Sequence, residues 1–110
     1  MRILAIEREL SALDPRQHAD LLRKEAACVW DLKKRDVIRD IWFTQRDHRA
    51  VVLLECPTEA EARQHLQSLP LVRARYIDFD ICALQPYDGF DRLIAPPATD
   101  PPALISTPIQ

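Results

Sequence analysis

The stretch Val37–Cys56 reads Val-Ile-Arg-Asp-Ile-Trp-Phe-Thr-Gln-Arg-Asp-His-Arg-Ala-Val-Val-Leu-Leu-Glu-Cys. It holds two strands in direct succession. Val37–Gln45 is rich in β-branched and aromatic residues, and Arg46–Arg49 is a polar turn. Ala50–Cys56 has Val-Val-Leu-Leu at its centre, apolar on both faces, which places it inside a sheet. The two strands form a hairpin, although the turn has no glycine. A hairpin flanked by a helical segment on each side narrows the fold sharply.

The upstream helix is His18–Leu32. Leu21, Leu22, Cys28, Val29 and Leu32 share one face at the 3.6-residue period. Asp14 followed by Pro15 predicts its start, with Asp14 as N-cap and Pro15 at the first helical position. The helix runs to Arg35, and Lys33-Lys34-Arg35 sets positive charge at the negative end of its dipole. At about 100° per residue, the centre of the apolar face falls on Glu25. His18 lies two turns earlier on nearly the same line. A charge in an apolar stripe is costly unless it is paired or neutralised. Glu25 is therefore either a chemical group or a structural one, snorkelling to the helix edge or tied in a salt bridge.

Downstream, Thr58 with Glu61 three residues on is a capping box. The helix it opens carries Ala62, Leu66 and Leu69, and Pro70 ends it. Tyr76–Leu84 alternates strictly: Ile77, Phe79 and Ile81 point one way, and Tyr76, Asp78, Asp80 and Cys82 the other. Arg2–Arg8 is a further strand at the front. The order is β-α-β-β-α-β, a ferredoxin-like α+β domain over residues 1–85. Right-handed crossovers put both helices on one face of a four-stranded antiparallel sheet. The other face is too apolar to stay wet, which predicts a dimer packed through the sheet face. Residues 86–110 hold six of the nine prolines with no period of 2 or 3.6, and read as an extended Pro-rich C-terminal tail.

Strand parity then distributes the side chains. The last strand sends Ile77, Phe79 and Ile81 to the helices. By the same logic Leu4 and Ile6 lie under the helices, with Ala5 and Glu7 on the open side. In the second strand Ile41 and Phe43 face the helices, and Asp40, Trp42 and Thr44 the open side. The open side would gather Glu7, Asp40, Asp78 and Asp80, a cluster able to bind a hard cation or share a proton, unless these carboxylates sit in water or pair with Arg39, Arg73 and Arg75.

Bulk composition excludes several classes. The 110 residues carry a formal charge of −2 and are 47% hydrophobic, which supports one modest core. No basic run with interleaved aromatics points to nucleic acid. No apolar run is long enough to span a membrane, and the first residues are charged too soon for a signal peptide. Cys28, Cys56 and Cys82 form no Cys-x-x-Cys pair and read as free thiols of a cytoplasmic protein. A single glycine, Gly89, removes Gly-rich phosphate loops. His18, His48 and His65 show no metal-ligand spacing, so no metal site is expected.

Four motifs in order resemble those of the muconolactone isomerases, small ferredoxin-like proteins of aromatic degradation. Lys24-Glu25 is similar to that family's basic-Glu pair in the first helix. Arg39-Asp40-Ile41-Trp42 is similar to its Arg-His-Leu-Trp, with Asp40 where the family has histidine. Leu69-Pro70-Leu71 and Tyr76-Ile77-Asp78-Phe79 resemble its Leu-Pro-Leu and Tyr-Met-Asp-Ile. The resemblance covers Ile3–Leu84. It implies a dimeric α+β barrel that builds larger homo-oligomers, and cofactor-independent isomerisation by proton transfer on a small unsaturated lactone or acid. Glu25 would be the base, Lys24 or Arg39 the cation near developing charge, and Asp40 an anion beside Glu25. Arg39, Trp42, Tyr76 and His18 would line the substrate pocket. A non-catalytic oligomeric module of the same fold, binding a ligand or partner, is the alternative.

Overall fold

The computed structural model describes residues 1–94. The elements are β1 (Arg2–Glu9), α1 (Ala19–Lys34), β2 (Ile38–Phe43), β3 (Ala50–Glu55), α2 (Glu59–Gln67), α3 (Pro70–Arg73), β4 (Ile77–Leu84) and α4 (Asp91–Ile94). The sheet order is β2-β3-β1-β4, with every neighbouring pair antiparallel. The expected βαββαβ order is present, with two short helices added. No described helix is long and apolar enough to cross a membrane.

One face of the sheet carries the core. Ile3, Ala5, Ile38, Val52, Leu54, Ile77 and Phe79 meet Leu32 of α1, Ala62 and Leu66 of α2, and Leu69. Burying a side chain the size of Leu54 contributes about 1.5–3 kcal/mol. Cross-strand partners share a face, so the register assigns every strand at once. Ala5 stands opposite Val52 and Ile81, and Glu7 opposite Phe79. Trp42 stands opposite Val51, and Asp40 opposite Leu53.

This register confirms the parity expected for β2 and for Ile77–Cys82 of β4 and reverses it for β1. Tyr76, expected on the open side, precedes β4 in the turn after α3 and packs on the helix side instead. Ile3, Ala5 and Glu7 face the helices, while Leu4 and Ile6 face the open side. Both rows of β1 begin apolar, so hydrophobicity alone does not choose between them. Small Ala5, fully buried, occupies the row closed over by the helices. The expected open-side carboxylate cluster is therefore broken up. Glu7 is on the other face, and Asp78 and Asp80 both pair with Arg8, at 3.5 and 3.3 Å.

α1 starts later than Asp14-Pro15 predicts. The Asp14 side chain accepts the N–H of Arg16, and its carbonyl accepts those of Gln17 and His18. These bonds close a separate turn, and His18 becomes the N-cap. The Thr58 cap forms as expected, its hydroxyl accepting the Glu61 N–H at 3.1 Å. Pro70 does not end α2, which stops at Gln67; it opens α3, where its fixed φ suits the first helical position.

With so little glycine, the left-handed turns fall to Asp36, His48 and Arg75, at φ of 61°, 54° and 64°. Asp36 and Arg75 end α1 and α3 in the same way. The next residue's N–H reaches back to the carbonyl of Leu32 or Leu71, closing a Schellman motif without its usual glycine. His48 turns the hairpin, its ring stacked on Phe43 at 3.9 Å. Within the segment expected to be an extended tail, Tyr87 packs edge-on against Phe90 and α4 makes one helical turn; residues 95–110 lie outside the described residues.

Candidate active site

Glu25 emerges where α1 meets α3. Its Oε1 accepts the backbone N–H of Leu71 at 2.9 Å. Leu71 is the second residue of α3, and the N-cap of α3, Leu69, has no side chain able to cap it. Glu25 thus caps α3 from a neighbouring helix. The left-handed turn at Arg75 then brings the Tyr76 N–H back to the Leu71 carbonyl at 3.0 Å. One residue, Leu71, ties Glu25 and the Tyr76 backbone together.

Among the described residues no buried side-chain oxygen lacks a partner. The Oε2 atom of half-buried Glu25, which accepts no hydrogen bond among the described residues, is therefore not fully buried. Burial pushes the Glu25 carboxyl above the ordinary carboxylate value; the Leu71 N–H opposes this, and the negative charge of Glu7 adds to it. Glu7 enters the same layer from β1, and its Oε1 accepts the Ala50 N–H at 3.0 Å.

His18 and Tyr76 form a second polar pair at this end of α1. The Tyr76 hydroxyl lies 2.9 Å from His18 Nε2, and the rings meet edge-on at 5.3 Å. His18 Nδ1 lies 3.1 Å from the Asp14 carbonyl. A carbonyl accepts and never donates, so Nδ1 carries a hydrogen. With the imidazole neutral, Nε2 is then the acceptor and Tyr76 donates to it. The tyrosine oxygen keeps its lone pairs for another donor.

Lys24 is exposed on α1 and lines a surface cleft of about 480 Å³ with Arg16, His18 and Leu21. Arg39 sits at a β-bulge and braces the end of α1. Its Nε donates to the Asp36 carbonyl at 3.2 Å, and its own carbonyl accepts from Lys33 at 3.1 Å. Asp40 and Trp42 lie on the open face, Trp42 53% exposed. The seven expected residues therefore split. Glu25, His18 and Tyr76 gather on the helix side with Lys24 beside them, while Asp40 and Trp42 are across the sheet. Asp40 is not the anion beside Glu25, because its parity sends it to the other face; Glu7 holds that place. Nothing in the sequence of β1 marks Glu7, since its face is set by pairing with β4. Among the described residues no group of His, Cys, Asp and Glu could hold a metal ion.

Comparison with solved structures agrees with this architecture. A crystal structure of muconolactone isomerase matches with a TM-score of 0.68 and 18% sequence identity, over 80% of this chain and 92% of that one. The 5-chloro-2-hydroxyhydroquinone dehydrochlorinase (TftG) of Burkholderia phenoliruptrix AC1100, solved with 2,5-dihydroxybenzoquinone, matches with a TM-score of 0.57 and 14% identity, over 76% and 93%. The chain shares the fold of both, as the motif resemblance implied. No protein-family model matches the sequence, and no curated protein does.

Proposed function

We propose that this chain is a cofactor-independent isomerase of the muconolactone isomerase type, moving a proton on a small unsaturated lactone or acid. The observation that carries the reading is Glu25, a half-buried carboxylate with one oxygen fixed by Leu71 and its proton affinity raised. Its free oxygen removes a proton from carbon next to a carbonyl. The C–H electron pair passes into an enolate, and the Glu25 carboxyl returns a proton at another carbon. A carboxyl of raised proton affinity serves both steps. Tyr76 and His18 orient the ligand's polar end, and Lys24 offsets developing negative charge. The fold match supports this assignment, since one of the two proteins is an isomerase and both act on small molecules by their names.

Glu25→Gln tests it. The glutamine carbonyl oxygen still accepts the Leu71 N–H, so the fold is kept while the proton carrier is lost. Turnover of muconolactone or related unsaturated lactones, followed by solvent deuterium incorporation, falls by about 10²–10⁴-fold. Unchanged turnover removes Glu25 from the mechanism. A second reading rests on the same bond. Glu25 caps α3, whose own N-cap is bare, and this suits a non-catalytic binding module of the same fold. That reading expects Glu25→Gln to leave ligand binding intact in a protein with no turnover at all.

The active form in this proposal is a homodimer or larger homo-oligomer packed through the open sheet face. Ile6, Trp42 and Leu84 there are 39%, 53% and 42% exposed. Trp42→Asp is expected to shift the mass in light scattering to that of a monomer; an unchanged mass rejects this interface.

A further inference from the structure

A second cleft, of about 300 Å³, lies where the end of β1, the end of α2, α3 and the start of β4 meet. Glu25, His18, Tyr76 and Lys24 do not line it. Leu10, Val72 and Ile77 give it apolar surface, while Gln67, Arg73 and Arg75 bring one amide and two guanidinium groups. The Arg75 backbone is held from both sides. Its N–H donates to the Val72 carbonyl at 3.0 Å, and its carbonyl accepts the Ser11 hydroxyl at 3.3 Å. The Leu10 and Ser11 N–H groups both reach the Tyr76 carbonyl, at 2.9 and 3.3 Å. The segment after β1 and the turn after α3 are thus tied together around the cleft. Among the described residues neither Arg73 nor Arg75 is in an ion pair. Arg73 ends α3, but a helix of one turn has little dipole for a cation to offset. Asp78, the carboxylate that lines the cleft, is already committed: its Oδ2 lies 3.5 Å from Arg8, and its Oδ1 accepts the Phe79 N–H at 2.8 Å. Glu9, at the same end of β1, is exposed and does not line the cleft. The cleft therefore holds two cations against one carboxylate that a third cation already pairs.

We propose that this cleft is a binding site for a small organic carboxylate, separate from the site at Glu25. The carboxylate takes the guanidinium donors of Arg73 and Arg75, and its carbon body lies against Leu10, Val72 and Ile77. A guanidinium is weakly hydrated and its fork matches the two carboxylate oxygens, so the pair forms at modest desolvation cost. The apolar surface favours an organic anion over a small, strongly hydrated one. The volume suits a molecule of one ring or a short chain. The site does not depend on the role proposed for Glu25.

The test is an amide NMR titration of the full chain with sodium benzoate, and with benzamide as its uncharged counterpart. Benzoate is expected to shift the Gln67, Arg73 and Arg75 amides saturably, and benzamide to leave them in place. Arg73→Gln and Arg75→Asn are each expected to weaken benzoate about tenfold or more, the loss of one charge-assisted pair. Asparagine suits the left-handed turn at φ 64°, so the second variant keeps the local backbone and carries the test should the first fail to fold. Arg46→Gln, in the hairpin turn, is expected to change nothing. Equal binding of benzamide, undiminished binding in both cleft variants, an equal loss in Arg46→Gln, or shifts confined to His18 and Lys24 overturns the proposal. Glu25→Gln is expected to keep its benzoate affinity at the cleft; loss of it there overturns the separateness of the two sites. Turnover of Glu25→Gln decides only the role of Glu25 and leaves the cleft result standing.

Discussion

On the helix-covered face of the sheet, Ile3, Ala5, Val52 and Leu54 are all 2% exposed or less; on the other face Ile6, Trp42 and Leu84 are 39%, 53% and 42% exposed. The open face carries Leu4, Ile6, Val51, Leu53 and Trp42 among charged residues, whereas the covered face is almost wholly apolar. The two also differ in the treatment of charge. The covered face admits two carboxylates, each held by a backbone N–H and left without a cation among the described residues. The open face admits Asp78 and Asp80 and neutralises both with Arg8. A charge beside water is cheap to pair and tunes little. In the half-dry layer, burial raises the proton affinity of Glu25, which is what acid–base chemistry needs.

Leu53 and Leu54 put the contrast to the most direct test, being adjacent on β3 and pointing to opposite faces. Leu54→Ala is expected to lose about 2–5 kcal/mol in urea denaturation, the cost of a cavity in a closed core. Leu53→Ala in dilute protein is expected to lose under about 1 kcal/mol. Equal losses would mean that the open face is already closed. Next in size is Glu25→Ala, which leaves the Leu71 N–H without its acceptor and is expected to cost about 1–3 kcal/mol. Glu25→Gln keeps the acceptor and is expected to cost less.

The pH dependence of that pair has a definite sign. Glu25 unfolded titrates near the ordinary value of 4.5, and folding raises it. The folded chain therefore holds this proton more tightly than the unfolded one. The stabilisation is full below the unfolded value and is lost as pH rises through the folded one. Relative to Glu25→Gln, which does not titrate, the wild-type chain is expected to lose stability from about pH 4 upward. A constant difference between the two denaturation series contradicts the raised value. The smallest effect belongs to the open face: Arg8→Ala is expected to cost under about 1 kcal/mol, and less in high salt, because both of its partners are exposed.

Much of the molecule is legible along the chain. The Thr58 cap, the strict alternation of β4, the apolar run of β3 and the stripe of α1 each follow from local chemistry, and together they specify the element order. Glu25 stood out for the same reason, as a charge out of phase with its helix face. Other features resisted because their signals are not local. Asp14 can cap a helix or close a turn, and only the bonds made by Arg16, Gln17 and His18 decide which. Pro70 is as good a first residue of α3 as a last barrier to α2.

The face of β1 is the most instructive case. Ile3-Leu4-Ala5-Ile6 is apolar on both sides, and a strand of period 2 can be turned over without changing its pattern. The sequence by itself determined that β1 is a strand, that a helix carries Glu25 into an apolar stripe, and that the order is βαββαβ. Tertiary structure alone decided which row of β1 is covered, because that depends on registers of Ala5 against Val52 and Ile81. With that choice Glu7 moved from the open face to the layer of Glu25, and Asp40 stayed across the sheet. Side-chain spacing along a chain is fixed by local backbone geometry; which charges become neighbours is fixed by pairing between distant strands.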